Sequence, residues 1–135
     1  MYKNVLLPIA PDHSRDEGRA LDMARYLAGE EGQITTLAVI EPIPPYATTY
    51  LPEDHAEQAR REVEAELRRR IGDDPRITIR TFTGHPSQTI LDFADRHGID
   101  CIVIASHRPG LQDYLIGSTA ARVVRHAGCA VHVLR

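Results

Sequence analysis

Residues 101–135, CIVIASHRPGLQDYLIGSTAARVVRHAGCAVHVLR, decide the fold. An unbroken apolar run, Cys101–Ala105, gives way to a polar loop and then to Gly117-Ser118-Thr119. A helical stripe (Ala120, Val123, Val124, Ala127) follows, and a second apolar run, Ala130–Leu134, closes the stretch. Strand, loop, helix and strand make a βαβ unit. Its loop delivers the chain to a helix start, where free backbone N–H groups and the positive end of the peptide dipoles attract anions. Phosphate is the obvious candidate.

Working outward, three further runs, Val5–Ile9, Thr35–Ile40 and Ile77–Phe82, have the same Val/Ile-rich character. Several are apolar almost throughout instead of alternating, as expected of strands covered on both faces of a parallel sheet. Helical stripes fill the gaps: Ala20, Ala24, Leu27 and Ala28; then Ala56, Ala59, Val63, Leu67 and Ile71; then Ile90, Leu91 and Ala94. Steps of three and four keep each set on one side of a helix. Gly72, Gly98 and Gly128 stand where left-handed C-caps are wanted, and Pro86-Ser87 opens a helix with Pro pre-set for the first turn. The order βαβαβαβαβ predicts an α/β fold, a doubly wound parallel sheet with right-handed crossovers. Only Glu41–His55, EPIPPYATTYLPEDH, breaks the rhythm, with four prolines and no helical period before Glu53. It predicts a long loop across the C-terminal edge of the sheet. There Tyr46 and Tyr50 either line a pocket or cover the following helix.

Composition narrows the function classes. At 135 residues the chain is sized for one domain, residues 1–135, and 42% hydrophobic with 26% charged residues is ordinary for a globular protein. A net charge of −3 argues against a general nucleic-acid binder. No apolar run reaches membrane-spanning length, and MYKNVLLPIA reads as a strand, not a signal peptide, so a cytoplasmic, membrane-free protein is expected. Cys101 and Cys129 begin apolar runs and lack the spacing of a metal or redox motif, which predicts buried structural thiols. Seven histidines show no paired helical spacing, so no metal site is expected. The charged run Glu57–Arg70 is the solvated face of a helix, with (i, i+4) pairs such as Glu57–Arg61 and Glu64–Arg68.

In an open α/β sheet, ligands bind beyond the C-terminal strand ends where the strand order reverses. Three constellations arrive there. Gly117, Ser118 and Thr119 suit phosphate oxygens, and they equally suit plain helix capping. In Ser106-His107-Arg108-Pro109-Gly110, Arg108 can clamp a phosphate. His107 is of the general-base type, but no Ser or Cys nucleophile motif accompanies it, and a solvated loop histidine is the plainer reading. Asp12, in Ala10-Pro11-Asp12-His13-Ser14, can bond a ribose hydroxyl or an adenine amino group, or cap the first helix. Neither a P-loop nor a Rossmann fingerprint is present.

Taken together, NVLLPIA, TLAVIEP, TGHPSQTIL and IASHRPGLQDYLIGSTAARVVRHAGCAVHVLR resemble the universal stress proteins over essentially the whole chain. The Ser-His-Arg-Pro form is similar to a variant subgroup of that family. The resemblance implies an open five-stranded parallel sheet in the order 3-2-1-4-5 with helices on both faces. It also implies a homodimer paired through the last strand, here Ala130, Val131, His132, Val133 and Leu134. The ligand it implies is ATP or another adenine nucleotide, with Mg as a further candidate. By position, Pro8, Ile9 and Val39 would frame the adenine through backbone atoms. Ala105, Ser106, His107 and Arg108 would lie along the ribose and phosphates, and Gly117, Ser118 and Thr119 would hold the phosphates.

The chain departs from the family's Gly-x-x-Gly-x9-Gly-[Ser/Thr] pattern. Ala105 and Arg108 replace the first two glycines, and eight residues instead of nine precede Gly117. Ala10 stands where the family usually has an Asp that contacts the adenosine, and Asp12 is the candidate substitute. The implied function is a nucleotide-dependent stress-response switch or interaction module with an unidentified protein partner. The alternative is a homodimeric member that binds no nucleotide and acts through protein contacts alone. Catalysis is not expected beyond the slow ATP hydrolysis or self-phosphorylation known among relatives, since neither a triad nor His-x-Gly-His is present.

Overall fold

The computed structural model describes residues 1–10, 17–106 and 117–135. Asp12, His107 and Arg108 lie outside the described residues. Five strands, β1 (Asn4–Ile9), β2 (Gln33–Ile40), β3 (Ile77–Thr83), β4 (Cys101–Ala105) and β5 (Ala130–Leu134), form one sheet in the order β3-β2-β1-β4-β5. Every neighbouring pair is parallel. Between the strands run α1 (Glu17–Ala28), the short α2 (Pro45–Thr48), α3 (His55–Ile71), α4 (Pro86–Arg96) and α5 (Ser118–His126).

The unbroken apolar runs have the cause the sequence suggested, because the sheet buries both faces. Val5, Leu7, Ile34, Cys101 and Val103 pack beneath Ala20 and Ala24 of α1 and Leu67 and Ile71 of α3. Leu6, Leu37, Ile102 and Ile104 pack beneath Ile90 and Phe93 of α4 and Ala120 and Val123 of α5. Alternate residues of one strand therefore feed two separate cores. Each buried Leu or Ile side chain contributes about 1.5–3 kcal/mol.

Gly72 and Gly98 do take positive φ, 77° and 62°, after α3 and α4. Gly128 does not. Instead α5 ends on Ala127 in an extended conformation (φ −66°, ψ 137°), because the chain passes directly into β5 and no reversal is needed. β2 starts two residues before the predicted Thr35, where the Gln33 N–H donates to the Lys3 carbonyl. Val124 lies 47% exposed, off the buried side of α5. Glu57 does pair with Arg61 at 3.3 Å. Glu64, however, accepts from Arg60 at 3.2 Å and from the Thr81 hydroxyl at 2.7 Å, and is not paired with Arg68. A hydroxyl on the adjacent strand draws it inward.

Ionic ties cross-link the N-terminal rim of the sheet. Asp74 accepts from Arg25 at 3.3 Å and from Arg76 at 3.1 Å, while Arg76 also donates to the Gly29 carbonyl. Hydrogen bonds from Arg76 chiefly hold the Asp74 carboxyl down at about 2, from an ordinary 3.8. The Asp100 carboxylate accepts the Lys3 and Asn4 N–H groups at 2.9 and 3.0 Å, pinning the start of β1 to the start of β4.

Candidate functional site

At the opposite, C-terminal rim the β1–β4 pairing ends early, and Pro8 stands where it ends. The Lys3 carbonyl accepts from Gln33 on β2 and the Asn4 carbonyl from Asp100 just before β4. Backbone groups along a strand alternate between its two neighbours, so the even-numbered residues of β1 face β4. Pro8 is one of them and has no N–H to give. The β1–β4 ladder accordingly stops at Leu6–Ile102, whereas β1–β2 continues to Ile9–Ala38. The gap falls between β1 and β4, where the strand order reverses, which is the ligand crevice expected of such a sheet. The signal was available in the sequence, since Pro inside a central strand is exceptional.

The β4 side of the crevice is held by Ser106. Its N–H and its hydroxyl both donate to the Leu134 carbonyl of β5, at 2.8 and 3.2 Å. Ser106 is buried, with its hydroxyl committed to the sheet, while Ala105 beside it is exposed. Above it starts α5. Gly117 is the N-cap (φ −62°, ψ 154°) and supplies no side-chain hydrogen bond. Ser and Thr capping, the plain alternative for this turn, is therefore not what Gly117-Ser118-Thr119 does. Ser118 and Thr119 occupy the first turn, whose N–H groups have no intrahelical acceptor. A Cβ placed on Gly117 would come to 3.7 Å from the Ser106 carbonyl oxygen, so the helix start sits directly beside the end of β4.

The rim thus gathers Pro8 and Ile9 from β1 with Ala10 after it, Val39 from β2, Ala105 from β4 with Ser106 after it, and Ser118 and Thr119 from α5 with their N-cap Gly117. Ile9 and Val39 are nearly buried at 8% and 7%, and Ala10 is exposed. Apolar walls of this kind suit a flat base, and free helical N–H groups suit an anion.

Nucleophiles are poorly placed among the described residues. Burial, with a smaller contribution from Cys129, pushes the Cys101 thiol up to about 11, and Cys129 is raised for the same chief reason. The two thiols belong to opposite cores, and Cys129 is only half-buried. Ser87 meets the His85 ring Nδ1 at 3.1 Å, but Ser87 is only 1% exposed within the first turn of α4, beyond reach of a substrate. No group of three or more His, Cys, Asp or Glu among the described residues could hold a metal ion. None of the described helices is long and apolar enough to cross a membrane.

This fold belongs to a defined class: the sequence matches the universal stress protein family over residues 1–135, and the chain is a member of that family. Among curated relatives it is similar to universal stress protein G of Escherichia coli O157:H7, 29% identical over 145 residues and covering 100% of both chains. Among solved structures it is similar to the universal stress protein UspA from Lactobacillus plantarum, with a TM-score of 0.76, 28% identity and coverage of 99% and 98% of the two chains. A universal stress protein solved in complex with cAMP superposes with a TM-score of 0.63 at 23% identity, covering 99% of this chain and 97% of that one.

Proposed function

We propose that this universal stress protein is a single-domain, cytoplasmic binder of an adenine nucleotide, ATP in the first instance, and that the nucleotide sets its state as a stress-response switch. The observation that carries this is the uncapped start of α5 beside Ser106, facing the crevice that Pro8 opens. In this reading Pro8, Ile9 and Val39 border the base, while Gly117, Ser118 and Thr119 present N–H and hydroxyl donors to phosphate. By sequence position Asp12, His107 and Arg108, which follow β1 and β4, complete the set. The relative bound to cAMP supports an adenine nucleotide as the ligand class.

Two edges terminate the sheet, and they differ. β3 carries Arg80, whose guanidinium lies over the Phe82 and Phe93 rings at 5.4 and 5.7 Å. A charge on an edge strand discourages pairing with another chain. β5 has no such guard: Val131, His132, Val133 and Leu134 are all partly exposed, and the strand has neither Pro nor a formal charge. An unguarded apolar edge supports a homodimer paired through β5. Should nucleotide not bind, that edge makes the protein a dimeric interaction module.

The test is calorimetric titration with ATP after bound nucleotide has been stripped. Micromolar binding of one nucleotide per chain is the expected result. A flat titration would overturn the nucleotide reading and leave the β5 surface as the working part.

A further inference from the structure

Between β2 and α3 the segment 41–54 forms a strap that leaves the C-terminal rim. By register Ile9 lies opposite Ala38, so β2 runs two residues past the end of β1, about 6–7 Å at the usual rise. The strap therefore springs from above the crevice border. It then crosses to α3, which packs on the other face of the sheet from Val39. Its root is fixed, since the Ile40 carbonyl accepts the Gly84 N–H at 2.9 Å. Beyond that root, its hydrogen bonds to the described residues stay within the strap or at its junction with α3. The Ala47 N–H donates to the Pro44 carbonyl at 2.9 Å, the Leu51 N–H to Thr48 at 3.1 Å, and the Thr48 hydroxyl to Pro45 at 2.8 Å. α2 buries none of its residues.

Tyr46 and Tyr50 are 81% and 90% exposed, with Ile43 and Leu51 showing beside them at 44% and 38%. The backbone stays helical through Thr49 (φ −58°, ψ −29°), so residues four apart rise from one side. As they stand, the rings neither cover the next helix nor line a pocket. Two flat amphipathic rings stand in water on a stiff strap with Pro42, Pro44, Pro45 and Pro52, and the strap leaves β2 one residue after Val39. Prolines leave the strap few conformations, which lowers the ordering cost of a closing movement.

We infer that the strap closes on the bound nucleotide and that Tyr46 and Tyr50 stack on or cover its base, acting as the base-recognising residues of the site. This rests on the nucleotide-binding reading above. Closure buries the rings together with the open face of the base, and the free site leaves them exposed.

The experiment uses the whole chain and ATP as probe. Trp is absent from the sequence, so Tyr46→Trp introduces a single indole reporter. Saturating ATP is expected to shield that indole from acrylamide. Tyr46→Ala and Tyr50→Ala are each expected to weaken ATP about tenfold, the factor that base–aromatic stacking commonly contributes. Tyr46→Phe keeps the ring and should bind as the unchanged chain does. Because both side chains are exposed, the melting temperature of each Ala variant should stay where it is. Undiminished affinity in both Ala variants, with the indole equally quenched with and without ATP, overturns the strap while leaving nucleotide binding intact. Shielding of the indole that follows protein concentration and ignores ATP assigns the rings to a contact between copies, and also overturns it. No ATP binding by the unchanged chain removes the reading beneath it, an outcome seen before any variant is made.

Discussion

Replacing Gly117 by Val separates the ligand role of the α5 start from its structural role. The backbone there (φ −62°, ψ 154°) is an extended conformation that Val adopts without strain. The new Cβ meets nothing closer than 3.7 Å, which is ordinary van der Waals contact. No side-chain cap is lost, because Gly117 supplies none. Val is a poorer N-cap than Gly, at a cost of about 1 kcal/mol. Removing a glycine from the unfolded chain returns about 0.4–1 kcal/mol. Stability should therefore change by less than about 1 kcal/mol, a melting shift of a few degrees. Binding behaves differently. Two methyl groups would occupy the approach to the first-turn N–H groups, and a hydrogen bond to a charged group contributes about 1.5–3 kcal/mol. Losing one such bond predicts ATP affinity about 10- to 100-fold weaker. Differential scanning calorimetry and isothermal titration on the same preparation read both quantities. Unchanged affinity in a folded Gly117→Val protein refutes the assignment of phosphate to α5, and a large loss of stability refutes the reasoning about Gly117 itself.

Further expectations concern the two rims and the edge. Pro8→Val returns an N–H on the side facing β4, so the ladder should extend past Leu6–Ile102, the new amide at position 8 should be protected from exchange, and ATP should bind more weakly; fast exchange of that amide would show that Pro8 is not what parts the strands. Asp74 has its pKa depressed on folding, so its stabilisation is present above pH 3.8 and is lost as the pH falls towards 2. Asp74→Asn should therefore cost on the order of 1 kcal/mol at neutral pH after solvent screening, and flatten the denaturation profile in that acid window; an unaltered profile would clear Asp74 of the effect. Leu134 gives its carbonyl to Ser106, so by alternation Val133 turns its N–H outward from the sheet. Val133→Pro should convert a dimer to monomer in sedimentation while leaving the β4–β5 ladder intact, and a persistent dimer would place the interface elsewhere.

The fold was legible because a parallel sheet covered on both faces demands the unbroken apolar runs from which it was read, and Gly72 and Gly98 supplied the punctuation. Gly128 misled because a glycine after a helix reports a reversal only where the next strand requires one. The Glu64 pairing misled for a related reason, since helical spacing is blind to Thr81 on a neighbouring strand. In the candidate site, Gly117-Ser118-Thr119 was visible as a turn, but that Gly117 is the N-cap, without a side-chain cap, depends on where α5 begins. The opening at Pro8 could have been anticipated. What hid it was the alternation that decides which neighbour a missing N–H deprives, and that is a property of the assembled sheet. Tyr46 and Tyr50 stood out by type, yet their exposure depends on where the strap lies.

The salt-linked rim beneath the sheet has a consequence for how such a chain can diversify. Asp74 with its two arginines, and Asp100 with the first residues of β1, fasten the strand starts independently of anything that happens at the crevice. Substitutions at the exposed positions around the opening, such as Ala10 and Ala105, then bear less on survival of the fold than on whatever must be accommodated there. A scaffold riveted at one end and unlaced at the other keeps its strand starts in place while its exposed rim positions vary.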